Sequence, residues 1–176
     1  MISAKARFVR RNKALSATPP HAELKPSAGA AICSKCQAVW RKGSWSLDPA
    51  VRREVRRWSA PAAVLCPACR SQSEGTPTGI LYLSGSFLAR NRTEVLNRLH
   101  TVERAAAAKN PLERIIRIQD DASRSRVVVE TTSEKLARRL GRAISRACGG
   151  TLEIRFSHED RLVRVYWRRD TAGSAA

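Results

Sequence analysis

Two hydrophobic periods alternate through the second half of this chain. Leu136, Leu140, Ile144 and Ala147 recur at helical spacing, so one apolar stripe runs along a helix from Glu134 to Cys148. Ser133 stands at its N-cap, and Gly149-Gly150 supplies a left-handed stop. The same period links Leu88, Val95, Leu99, Val102 and Ala106. It predicts an earlier helix, capped by Ser84 or Ser86 and running to about Lys109, where Asn110-Pro111 ends it. Four segments follow period two instead: Arg114 to Gln119, Arg126 to Thr132, Thr151 to Ser157 and Leu162 to Arg169. Asp120-Asp121-Ala122-Ser123 joins the first pair and His158-Glu159-Asp160-Arg161 the second. The order is helix, two strands, helix, two strands. This predicts an α+β domain over residues 81–170, with a four-stranded sheet carrying both helices on one face.

Residues 32–80 are patterned differently. Asp48 is a good N-cap and Pro49 suits a first helical turn, opening a short helix in which Val51, Val55 and Trp58 share one stripe. Arg52, Arg53, Arg56 and Arg57 fall on its opposite side. Around this helix stand two Cys-x-x-Cys pairs, Cys33/Cys36 and Cys66/Cys69. Each pair forms a tight turn that points two sulfurs the same way. Two such turns brought together make a closed four-thiolate cage, the geometry of a structural zinc ion with no position left for substrate. The segment is expected to be a zinc ribbon with an inserted Arg-rich helix, its small core filled by Trp40 and Trp45. Cys148, the odd cysteine, lies among apolar neighbours at a helix end and is expected to pack rather than react.

Charge changes the picture. Thirty-three Lys and Arg against 15 Asp and Glu give a formal net charge of +18 on 176 residues, a field that draws polyanions. The stripe Lys135, Arg139, Arg142 and Arg146 lies beside the apolar face of the later helix, in position to follow several phosphates. On the last two strands Arg155, Arg164, Tyr166 and Arg168 point away from the core, giving a basic sheet face with one tyrosine for base stacking. Residues 1–31, with Lys5, Arg7, Arg10, Arg11 and Lys13 before the breaker run Thr18-Pro19-Pro20, read as a mobile basic arm. Residues 171–176 read as a flexible tail.

No apolar run approaches the roughly 20 residues of a membrane span. The reduced-thiol pattern suits a cytosolic, cytoplasmic protein. His21, His100 and His158 are not joined to any nucleophile. The carboxylate pairs Asp120-Asp121 and Glu159-Asp160 sit in turns, and no phosphate-loop or dinucleotide motif occurs. The expectation is therefore no enzyme and no small-molecule substrate.

Several motifs carry a resemblance: Cys33-Ser34-Lys35-Cys36, Lys42-Gly43-Ser44-Trp45, Leu65-Cys66-Pro67-Ala68-Cys69-Arg70 and Leu83-Ser84-Gly85-Ser86-Phe87-Leu88. Further along come Asn110-Pro111-Leu112-Glu113-Arg114-Ile115, Glu130-Thr131-Thr132-Ser133 and Val163-Arg164-Val165-Tyr166-Trp167. Over Ile32 to about Arg168 the chain resembles a family of bacterial zinc-ribbon proteins. These are in turn similar to the N-terminal region of the large-ribosomal-subunit export adaptor, nonsense-mediated decay protein three. The resemblance implies a non-enzymatic RNA-binding, ribosome-associated role, with rRNA as the partner, and carries over only the four cysteines. Two other classes share parts of the pattern. A protein-protein adaptor or transcriptional cofactor would bind DNA loosely through charge. A rubredoxin-like electron carrier would hold iron in the same cage, though Gln37 and Arg70 stand where such turns usually place glycine.

Overall fold

A computed structural model of the protein describes residues 7–8, 26, 29–58, 60–157 and 162–171. In chain order its elements are β1 (Arg7–Phe8), β2 (Ala30–Cys33), β3 (Val39–Arg41), β4 (Ser44–Ser46), α1 (Pro49–Trp58), β5 (Ala62–Val64) and α2 (Pro67–Glu74). Then come β6 (Gly79–Ser84), α3 (Ser86–Lys109), β7 (Ile115–Asp121), a single 3-10 turn (Ala122–Arg124), β8 (Arg126–Thr131), α4 (Glu134–Cys148), β9 (Thr151–Phe156) and β10 (Val163–Arg168). The molecule is mixed α/β. A small sheet in the order β4-β3-β2-β5 ends its strand β2 on Cys33, the first of the four cysteines, and a large sheet runs β1-β9-β10-β6-β8-β7.

The large sheet has more strands than the four expected. All four of those are present, but β6 lies between β10 and β8, parallel to the first and antiparallel to the second. This strand escapes the period-two test because both of its faces are apolar. Leu81 and Leu83 are fully buried on the helix side, while Ile80 and Tyr82 are half-buried on the other. It also runs into α3 without a polar turn. Gly85 makes the corner at φ +103°, where a Cβ would come within 2.1 Å of the Arg169 carbonyl oxygen, so only glycine fits. The result is two interleaved split β-α-β units: β6-α3-β7 straddles β8, and β8-α4-β9 straddles β6 and β10.

Leu81, Leu83, Val95, Leu99, Leu136, Leu140, Ile144, Val165 and Trp167 form the centre of the main core. Helix α4 packs close because Gly141 faces the sheet. A Cβ there would stand 2.6 Å from Val165 Cγ1. Trp167 is buried to 1% exposure, with its Nε1–H donating to the Gly149 carbonyl at 2.8 Å. The end of α4 is thereby tied to the last strand.

Helix starts follow the sequence in two cases out of three. Ser133 Oγ accepts from Leu136 N–H on α4 at 3.1 Å, and Asp48 Oδ1 accepts from Ala50 N–H on α1 at 2.7 Å. Neither Ser84 nor Ser86 caps α3. Its first amides are taken by the chain beyond β10, Ser86 N–H by Asp170 Oδ1 and Phe87 N–H by the Arg169 carbonyl, both at 3.1 Å. Thr171, expected in a flexible tail, is engaged as well: its N–H donates to Ser86 Oγ at 2.9 Å.

Residues Arg7–Phe8 of the expected arm form β1, parallel to the β9 edge. Lys5, Arg10, Arg11, Lys13, the Thr18-Pro19-Pro20 run, the His158–Arg161 turn, the Trp58 side chain and residues 172–176 lie outside the described set.

Candidate metal centre and basic surfaces

The four sulfurs meet because β5 pairs parallel with β2, setting Val64 beside Cys33. At the first pair, Cys33 N–H donates to the Ala38 carbonyl at 2.8 Å and Gln37 N–H returns to the Cys33 carbonyl at 2.9 Å. This closes a tight turn in which Gln37 takes a left-handed φ of 61°. At the second pair Cys66 is itself the N-cap of α2. Its Sγ accepts from Cys69 N–H at 3.4 Å, and Pro67 opens the first turn. Cys66 N–H in turn donates to Cys33 Sγ at 3.4 Å.

Cys36 Sγ and Cys66 Sγ are 3.7 Å apart, and all four sulfurs lie within 4.8 Å of one another. A metal bound at about 2.3 Å to four thiolates needs tetrahedral edges of about 3.8 Å. The donor set fits such an ion. Cys33, Cys66 and Cys69 are buried and Cys36 is half-buried.

The thiols also show the electrostatic conflict that a cation relieves. The hydrogen bond shared with Cys66 holds Cys36 down at about 4. The same bond, with burial, pushes Cys66 well up, while burial first of all raises Cys69 to about 11. Four thiolates cannot share this volume without a positive charge among them.

Trp45 is buried in the cysteine cluster, with Trp40 tilted against it at 5.8 Å between ring centroids. Val51 and Val55 of α1 pack on Ile32 and Val39 behind it. One contributor comes from outside the ribbon. Leu112 packs against the cluster that holds the cysteines and Trp45, and Arg114 Nη1 reaches Cys69 Sγ at 3.9 Å. Burial works against the Arg114 charge, yet Cys36, Cys69 and Cys66 around it raise its pKa above the ordinary arginine value. The sequence marked Arg114 only as the start of a predicted strand and as part of one motif of the resemblance, with no role at the cysteines.

The basic residues divide into two kinds. On α1, Arg53, Arg56 and Arg57 are exposed and Arg52 is half-buried. The one acid on that helix, Glu54, is paired with Arg41. Arg56 Nη2 donates to Gln37 Oε1 at 3.0 Å, placing the basic face beside the first cysteine turn. On α4 the expected four-cation stripe is interrupted. Glu113, only 2% exposed, takes Arg139 at 2.7 Å and Lys135 at 3.7 Å. Those two cations serve an internal anion, while Arg142 and Arg146 are exposed farther along. Sequence reading missed Glu113 because a lone acid in a loop looks solvated.

The open sheet face is likewise more self-contained than the pattern suggested. Tyr166 stacks on Tyr82 at 4.9 Å with planes 16° apart. Arg155 lies over Tyr166 and Arg126 over Tyr82, at 5.1 and 4.3 Å. Both faces of Tyr166 are thus covered, and a base would have to displace a guanidinium to stack there. Arg155 also pairs with Glu153 at 2.8 Å and Arg168 with Asp170 at 2.7 Å, while Arg164, opposite Arg155 in the register, is half-buried on β10. Tyr82 and Arg126 were unrecognised partners because β6 was.

The acidic pair Asp120-Asp121 is structural: Asp120 holds Arg92 at 3.1 Å and Asp121 holds Arg126 at 2.8 Å. No helix among the described residues is long and apolar enough to cross a membrane. Comparison with protein-family models, curated proteins and solved structures returned no match.

Proposed function

We propose that this chain is a non-enzymatic RNA-binding protein, associated with ribosomes, whose four cysteines hold one structural zinc ion. The observation that carries the reading is the α1 surface. Arg53, Arg56 and Arg57 face solvent beside the first cysteine turn, and the only acid of that helix is already taken by Arg41. A chain with formal net charge +18 that also places exposed guanidinium groups on a metal-braced helix suits phosphate recognition. Arg142 and Arg146 extend the set, while Lys135, Arg139, Arg155 and Arg168 contribute less because each faces a carboxylate. Zinc is preferred over iron because Gln37 and Arg70 stand where iron-holding turns of this kind usually place glycine, and because the segment between the cysteine pairs carries an Arg-rich helix.

Sedimentation of a cell lysate through a sucrose gradient at physiological salt, with and without ribonuclease, tests the reading. Salt-resistant co-migration with a ribosomal subunit is the expected result. A profile confined to the top of the gradient overturns ribosome association and favours an adaptor that meets DNA through charge alone. Metal analysis of the same protein is expected to find one zinc per chain in a colourless sample. A red sample would mean iron.

A further inference from the structure

Four thiolates around a divalent ion carry a net charge of two minus, and here three of the four sulfurs are buried. Backbone N–H groups offset part of this, from Cys66 to Cys33 Sγ and from Cys69 to Cys66 Sγ. A full positive charge is brought to the sulfurs by Arg114, on the segment that leads from α3 into β7. That guanidinium is not a stray surface group. Its Nε–H donates to the Pro111 carbonyl at 2.8 Å, leaving Nη1 aimed at Cys69 Sγ. Its backbone N–H donates to Thr132 Oγ1 at 2.8 Å, and Thr132 N–H returns to its carbonyl at 2.9 Å. Glu113, one residue before, is gripped by Arg139 of α4. The large sheet and α4 therefore help to aim the guanidinium at the cysteines.

A second contact runs the same way. Gln72 Nε2 of α2, the helix capped by Cys66, donates to the Ile115 carbonyl at 3.0 Å, and Leu112 packs against the cluster that holds the cysteines. The seam between the ribbon and the large sheet lies against the metal centre.

We infer that Arg114 is a positioning residue of the metal centre: a fixed countercharge, supplied by the α/β layer, that tightens metal binding and makes the fold of segment 110–115 depend on the metal. The inference rests on the metal reading of the cysteines. Outer partners of this kind typically change metal affinity 10–100-fold. A lysine would keep the charge but lose the fork that bonds Pro111 and Cys69 together.

The test is competition for Zn2+ against a chromophoric chelator, using full-length wild type, Arg114→Lys and Arg114→Gln, with the Co2+ charge-transfer spectrum recorded for each. Arg114→Gln should weaken binding about 10–100-fold with an unchanged Co2+ spectrum, because the sulfur ligands are intact. Arg114→Lys should fall between the two. Equal affinities for all three proteins overturn the inference and leave the metal site standing. A wild type that binds neither ion overturns the metal reading and this inference with it. Hydrogen exchange on the wild-type protein supplies a test that needs no variant. Removing Zn2+ should speed exchange at the Arg114 and Ile115 amides as well as within the ribbon, and unchanged exchange at those two amides overturns the coupling.

Discussion

Cys66 illustrates how much a single residue does here. It closes the metal cage, caps α2 and receives one backbone bond while its own N–H serves Cys33. Cys66→Ser keeps a cap but loses a thiolate, so the expected outcome is loss of bound metal and unfolding of the ribbon, read by metal content and Trp fluorescence. Trp167 holds the other module in the same concentrated way. Its ring is fully buried and its N–H is spent on Gly149. Trp167→Ala should cost about 3–5 kcal/mol in a denaturant melt, from a large cavity and an orphaned carbonyl. Gly85→Ala should be destabilising for a backbone reason, since its Cβ would overlap the Arg169 carbonyl.

At the scale of elements, α3 depends on residues more than 80 positions away. Asp170 accepts from Ser86 N–H and pairs with Arg168. The bond from Arg168, followed by that from Ser86, holds its carboxyl below its ordinary value of 3.8. A carboxyl whose folded pKa is depressed stabilises the fold above the unfolded pKa, and that stability is lost as pH falls through the folded value. Acid titration of stability should therefore show a loss beginning near pH 4 and continuing below it, and Asp170→Asn should flatten part of this slope. Glu113 plays the matching part at α4. Glu113→Ala should cost about 2 kcal/mol in the same melt, less than the ~3–5 of a wholly buried pair, because Arg139 and Lys135 can turn to water.

Charge is a property of the whole molecule, and its distribution decides which cations can meet a polyanion. The buried Glu113 engages Lys135 and Arg139 of the α4 stripe, so reversing those two should matter less to a polyanion than reversing the exposed α1 residues. Arg53→Glu, Arg56→Glu and Arg57→Glu combined should weaken RNA binding at least tenfold near physiological salt. The triple variant should also lower the slope of log affinity against log salt, by up to about 0.7 for each phosphate it no longer neutralises on single-stranded RNA. Fluorescence anisotropy across a salt series measures both. An unchanged slope would remove α1 from the binding surface.

Local pattern determined a good deal of this protein. The α4 stripe with its Ser133 cap, the α1 face with Asp48 and Pro49, four strands of the large sheet and the two cysteine turns all follow from spacing and capping chemistry within a few residues. Strand β6 was hidden because both of its faces are apolar, so alternation gives no signal, and its place between β10 and β8 is set by pairing across the sheet. The cap of α3 was hidden for a related reason: its acceptors arrive from the far end of the chain. The tertiary structure alone decided which charges are spent internally, because an ion pair such as Glu113 with Arg139 joins two elements with no sequence relation. It also decided that Arg114 stands at the cysteines, since only folding brings the α3–β7 connection against α2.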